Sequence, residues 1–152
     1  KRFTFKNKYE TRFIDEDGNL NIELLLTKFQ ELMKAEYRHA DERFVEREGR
    51  LLFLAFLKPV INGEGFYFVE PETRNSNRMD IVITLNQNKF VIELKIWHGE
   101  KYAQEGREQL CNYLDSQNLK KGYMVFFNFN QNKSYEIINR SVNNKELFEI
   151  TV

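Results

Sequence analysis

Arg78-Met79-Asp80-Ile81-Val82-Ile83-Thr84-Leu85-Asn86-Gln87-Asn88-Lys89-Phe90-Val91-Ile92-Glu93-Leu94-Lys95-Ile96-Trp97 is the stretch whose reading decides the fold. Successive side chains of a strand point to opposite faces. In the first half Met79, Ile81, Ile83 and Leu85 therefore share one face, and Asp80, Val82 and Thr84 the other. In the second half Phe90, Ile92, Leu94 and Ile96 line one face, and Val91, Glu93, Lys95 and Trp97 its opposite. Asn86 to Lys89 make a polar break, so the stretch predicts an antiparallel hairpin. Matching apolar face to apolar face sets an even residue of the first strand opposite an odd residue of the second, because a one-residue slip would bury the charges. A two-residue turn at Asn86-Gln87 puts Asp80 directly across from Glu93. A turn at Gln87-Asn88 leaves the two a diagonal apart, still within reach of one cation. Lys95 follows two residues along on the Glu93 face.

Two carboxylates held side by side repel, and a divalent cation relieves the conflict. Mg²⁺ typically takes one or two carboxylates and completes its octahedron with water and phosphate oxygens. Such an ion acidifies a bound water and offsets charge in phosphoryl transfer, while a nearby lysine positions the nucleophile. The competing reading is an amphipathic hairpin whose polar face meets only water, and a Glu-x-Lys triplet alone does not decide between them.

On these residues the chain resembles the PD-(D/E)XK nuclease superfamily. Asp80 falls at its first acidic position and Glu93-Leu94-Lys95 at its second acid and lysine, with Met79 where the family usually has proline. The resemblance spans about residues 42–129. It implies an α/β, restriction-endonuclease-like core of helix, three-stranded meander, helix and strand on a mixed central sheet, with an N-terminal strand and helix extension and C-terminal edge strands. A closer similarity runs through Gly63-Glu64-Gly65-Phe66-Tyr67-Phe68-Val69-Glu70-Pro71 and the Asp80 and Glu93 segments. It is to the C-terminal nuclease-like domain that follows AAA-type ATPase modules in bacterial proteins. That similarity implies an upstream ATPase domain in the same polypeptide. No Gly-rich phosphate loop is present in this chain itself.

The flanks read independently. Phe44, Val45, Leu51, Leu52, Leu54, Ala55, Phe56 and Leu57 give a helical apolar stripe across residues 41–61, stopped by Pro59 and Asn62-Gly63. Glu48 lies on this helix, where superfamily members often carry an acid that reaches the metal or its water shell. Glu46 is the competitor by register, and exposure beside Arg47 and Arg50 is the ordinary alternative. Residues 65–70 alternate as a strand, bringing Glu70 to its end as a further acidic candidate. Downstream, Tyr102, Gly106, Gln109, Leu110, Tyr113, Leu114 and Gln117 recur at helical spacing. Gln109 and Tyr113 are one turn apart. The resemblance implies that such a Gln-x-x-x-Tyr pair lies near the active centre and the nucleic-acid backbone; the alternative is Tyr113 in the core and Gln109 in solvent. Trp97 either stacks on a base or caps the sheet, and His98 is an ordinary loop histidine unless it touches a phosphate. His39 has no partner at metal-like spacing. Cys111, the one cysteine, excludes an intrachain disulfide and argues against a zinc-thiolate site.

A chain of 152 residues with 41% hydrophobic content, fourteen Phe and seven Tyr can bury one substantial core. No apolar run approaches the roughly 20 residues of a membrane span, and no secretory signal opens the chain, so no membrane partner and a cytoplasmic location are expected. The chain begins at Lys1 and is strand-like at once, which suggests a piece cut from a longer polypeptide. Residues 1–37 read as an N-terminal extension or joint to an upstream domain, with an extended start, a turn at Asp15-Glu16-Asp17-Gly18 and an amphipathic helix over 21–37. Residues 38–152 read as the nuclease-like domain. Residues 122–128 form an apolar buried strand, and 134–140 and 147–152 two edge strands. The 23 basic and 23 acidic residues cancel, so any phosphate grip must be local, from Lys6, Lys8, Lys95, Lys101, Arg107, Lys120 and Lys121.

The function expected is Mg²⁺- or Mn²⁺-dependent hydrolysis of DNA phosphodiester bonds. Asp80, Glu93, Glu48 and the Leu94 carbonyl would hold the metal, Lys95 would position the attacking water, and Gln109 and Tyr113 would support the site. The alternatives are a catalytically silent regulatory or docking module of an ATPase and a non-catalytic nucleic-acid binding domain.

Overall fold

The computed structural model describes residues 13–36, 46–61, 66–68, 81–130 and 132–152, with side chains at 46, 47 and 66–68 excepted. Its centre is the hairpin of β2 (Ile81–Leu85) and β3 (Asn88–Ile96). Asn86 and Gln87 both take positive φ, 48° and 65°, as a two-residue type I′ turn demands. The ladder accordingly pairs Leu85 with Asn88, Ile83 with Phe90 and Ile81 with Ile92. This is the first of the two registers expected from side-chain parity.

β1 (Phe66–Phe68) adds antiparallel to the outer side of β2, completing a meander. A crossover through α3 (Glu100–Ser116) returns the chain to β4 (Lys121–Phe127), parallel to β3. A second hairpin then follows, β5 (Ile137–Val142) and β6 (Lys145–Thr151), turned at Asn143 and Asn144 with φ of 49° and 62°. The six-stranded order is β1-β2-β3-β4-β6-β5. The fold is thus α/β on a mixed open sheet.

Of the two C-terminal strands expected at the edge, only β5 is there. β6 lies between β4 and β5, parallel to the former. Its composition explains the placement: Phe148 and Ile150 enter the core on one face, Leu147 on the other, and the charge of Glu149 is neutralised by arginine. β5 alternates exposed and half-buried positions, as a one-sided edge strand does.

α1 (Ile22–Glu36) starts where Asn21 Oδ1 accepts the Leu24 N–H at 3.1 Å. The preceding turn is fixed by Asp15, whose Oδ1 accepts from the Asp17 and Asn19 N–H groups, both at 2.9 Å. α2 (Glu46–Ile61) runs through Pro59 instead of stopping there. A proline so near the C-terminus forgoes only one late helical hydrogen bond, and Ile61, fully in the core, holds the last residues in helix.

α1 and α2 cover one face of the sheet, with Leu25, Leu26, Phe29, Phe53 and Leu57 meeting the inward side chains of β2, β3, β4 and β6. Phe29 and Phe53 meet edge to face at 5.0 Å. α3 covers the other face, packing Ala103, Leu110, Cys111 and Leu114 on Val82, Val91, Met124 and Phe126. Close approach here depends on glycine. A Cβ at Gly122 would sit 2.8 Å from Leu114, and one at Gly49 of α2 would sit 2.7 Å from the Phe127 ring.

Candidate active site

Side-chain parity on β3 sends Glu93 and Lys95 to the α3 face. Glu93 is 1% exposed, alongside Met124 of β4. Lys95 Nζ lies 3.4 Å from Glu93 Oε1, and the lysine side chain retains 17% of its exposure. The ammonium thus links a buried carboxylate to the surface, at the carboxyl end of the parallel strands. Ligand sites of open α/β sheets gather at such ends.

α3 fits over this pair because of Gly106. A Cβ there would stand 3.5 Å from Lys95 Cε and 3.3 Å from Met124 Cε, so the lysine stem passes directly beneath the helix. Farther along, Leu110 and Leu114 lie over Gly122 at the start of β4. α3 therefore runs antiparallel to β3. At a rise of about 1.5 Å per residue, Gln109 comes roughly level with Glu93, and Tyr113 about one further turn along, toward Val91. With 3.6 residues per turn, Tyr102, Gln109 and Tyr113 share the helix flank that points away from Arg107, on the β2–β3 side. Gln109 is half-buried, and Tyr113 is half-buried against the Val82 and Val91 cluster.

Sequence spacing placed Tyr102 on this flank without assigning it a role. The structure sets its ring 5.1 Å from Lys95 Nζ, a cation–π distance, and His98 packs on it at 5.2 Å. His98 itself is exposed. Trp97 caps the sheet, its N–H donating to the Phe127 carbonyl at 2.9 Å and its ring meeting Phe126 at 5.5 Å.

Asp80 immediately precedes β2 and lies outside the described residues, as do Glu70, His39, Lys6, Lys8 and the side chain of Glu46. Glu48 is exposed on α2, the helix that covers the opposite face from Glu93. Gly49 beside it packs on Phe127, the partner of Ile96, so the first turns of α2 reach the same end of the sheet as Lys95. Among the described residues no group of three or more His, Cys, Asp or Glu is placed to hold a metal ion. Glu93 and the backbone of Leu94 supply oxygen donors of the hard kind that Mg²⁺ prefers.

Arg107, expected to contact phosphate, is instead 2% exposed and committed inside the protein. Its Nε and Nη2 donate to Glu149 Oε2 and Oε1 at 2.5 and 3.0 Å, and its Nη1 to Glu100 Oε1 at 2.6 Å. Burial opposes the charge, yet the hydrogen bonds to Glu149 and Glu100 hold the guanidinium above its ordinary value. Lys121 is paired with Glu23 at the amino end of β4, the far end from Lys95. Nothing local in the sequence marks the Arg107–Glu149 pair, since its members are 42 residues apart.

No helix among the described residues is long and apolar enough to cross a membrane. No curated protein matches the chain. A family described as a domain of unknown function, DUF8371, matches residues 26–131, from within α1 to just beyond β4. The match takes in the hairpin, α3 and β4, and on that extent the chain belongs to the DUF8371 family.

Proposed function

We propose that this domain is a metal-dependent nuclease that hydrolyses DNA phosphodiester bonds on a restriction-endonuclease-like core. The observation that carries the reading is the hairpin register. Its turn at Asn86-Gln87 and last described pair, Ile81 with Ile92, set a register that, continued by one residue, would bring Asp80 opposite Glu93. The chain order of α2, the β1–β3 meander, α3 and β4 supports the same core.

In this reading Asp80, Glu93 and the Leu94 carbonyl would hold Mg²⁺ or Mn²⁺, and Glu48, at the same end of the sheet but over its opposite face, is left out of the metal's shell. The ion supplies charge neutralisation and an acidified water when bound. Lys95 holds the attacking water through its ammonium and is itself held by Glu93 and the Tyr102 ring. Gln109 and Tyr113, on the flank of α3 facing β2 and β3, orient the scissile phosphate. Burial beneath α3 keeps bulk water from Glu93 and strengthens each of these interactions.

An upstream ATPase domain would deliver DNA to this site, which accommodates the balanced charge of the chain. The test is cleavage of plasmid DNA with Mg²⁺ or Mn²⁺. Lys95→Ala should lower the rate by about 10²- to 10⁴-fold, the usual contribution of a positioned proton-transfer group. Cleavage equal in wild type and Lys95→Ala would rule the assignment out.

A further inference from the structure

The parallel strands β3, β4 and β6 bring their carboxyl ends together, and the loop from β4 to β5 lies there. In that loop the Tyr135 ring is met by two ammonium groups, with Lys34 Nζ 5.2 Å and Lys133 Nζ 5.0 Å from its centroid. Lys133 is anchored, and Lys34 sits one turn from an anchored residue. Lys34 follows Gln30 by one turn of α1, and Gln30 Nε2 donates to the Thr151 carbonyl at 2.9 Å. Lys133 donates to the Asn128 carbonyl at 2.5 Å, and the Asn128 N–H donates to Val152 at 3.0 Å.

Among the described residues no carboxylate forms an ion pair with either lysine. Several other basic groups are committed elsewhere: Arg107 and Arg140 to Glu149, Lys121 to Glu23, and Lys145 to Asp115. Two like charges gathered at one ring repel, and anions beside them offset the conflict. Partial burial also lowers the Lys133 ammonium from its ordinary value, a cost that an anionic partner offsets.

We propose that Lys34, Lys133 and the Tyr135 ring form a rim that grips the DNA backbone, each lysine neutralising one phosphate beside the Glu93–Lys95 site. The inference rests on the reading that the substrate is DNA. Tyr135 adjoins β6 through the Thr151 N–H bond to Glu136, 2.9 Å. Lys34 lies on α1, over the sheet face opposite to Glu93 and Lys95 but at the same carboxyl end, where β6 is two strand spacings from β3, about 10 Å, so a duplex laid across that end would reach both.

The test is fluorescence anisotropy of a labelled 20-base-pair duplex across a salt series in EDTA, which separates binding from cleavage. In Lys34→Ala/Lys133→Met, the slope of log affinity against log salt should fall by about 1.8, at about 0.9 per phosphate contact in B-DNA. Lys34→Ala alone, which removes an exposed side chain, should lower it by about 0.9. Lys58→Ala, an exposed lysine in the last turn of α2, should leave it unchanged. Slopes equal to wild type in both rim variants, or no duplex binding by wild type, would overturn the rim. Plasmid cleavage with unchanged slopes would overturn the rim and leave the nuclease standing. Lowered slopes without cleavage would support the rim and count against the nuclease.

Discussion

Arg107 on α3 closes bidentately on Glu149 of β6, at 2.5 and 3.0 Å, with both residues almost wholly removed from solvent. Arg140 of β5 donates to the same carboxylate at 2.9 Å, so one acid ties three elements together. Removing one partner of a buried ion pair leaves an uncompensated charge and costs about 3–5 kcal/mol. Glu149→Ala should therefore destabilise the domain by that amount in urea unfolding. Glu100→Ala removes an acid that is 65% exposed and should cost under about 1 kcal/mol.

The hairpin that sets the proposed site carries a local strain that can be relieved. Gln87 holds φ at 65° in the Asn86-Gln87 turn, a region that costs an L-residue roughly 1–2 kcal/mol and glycine almost nothing. Gln87→Gly restores the Asn-Gly pair that type I′ turns prefer. Its greater unfolded-state entropy removes part of the gain, about 0.4–1 kcal/mol. A melting temperature that rises by a few degrees is the expected outcome, and a fall would mean that the turn draws on Gln87 itself.

Gly49 should resist substitution although it is helical. Alanine there gains about 1 kcal/mol of helix propensity. Its Cβ, however, would meet the fully buried Phe127 ring at 2.7 Å. Overpacking of this kind costs about 1–3 kcal/mol, so Gly49→Ala should be neutral to destabilising by about 2 kcal/mol in thermal unfolding.

Alkaline pH should weaken the fold. Burial, with help from the Glu23 charge, raises the Tyr123 phenol above its ordinary 10.0, and burial likewise raises the Cys111 thiol above 9.0. For groups raised in the folded state, the unfolded chain releases the proton first. Their stabilising contribution is complete below the unfolded values and is lost as pH climbs through the folded ones. Stability should thus decline above about pH 9, and Tyr123→Phe with Cys111→Ala should flatten the decline. An unchanged profile in the double variant would assign the loss to other groups.

How far the sequence reached depends on the range of the interactions involved. Parity and a polar turn, which are local, narrowed the hairpin to two registers, of which the Asn86-Gln87 one is formed, and the α3 flank of Tyr102, Gln109 and Tyr113 followed from helical spacing. The insertion of β6 beside β4 was not legible, because strand order is set by contacts between residues distant in the chain. Arg107 misled for the same reason. A basic residue on a helix beside a proposed nuclease site reads as a phosphate ligand until Glu149 is brought against it. The end of α2 at Ile61 was legible from Pro59 and Asn62-Gly63 together, with Pro59 carried inside the last turn. Glu48 was placed on the right helix, at the correct end of the sheet but over the opposite face from Glu93, a distinction that depends on how α2 packs.

The measurement that tests the central claim most directly is calorimetric titration of Mn²⁺ into wild type, Asp80→Ala and Lys95→Ala, paired with DNA cleavage by each. Binding should be lost in Asp80→Ala and kept in Lys95→Ala, with cleavage lost in both. Absence of metal binding by folded wild type at millimolar concentration would contradict it and leave the Glu93–Lys95 pair as a structural element beneath α3.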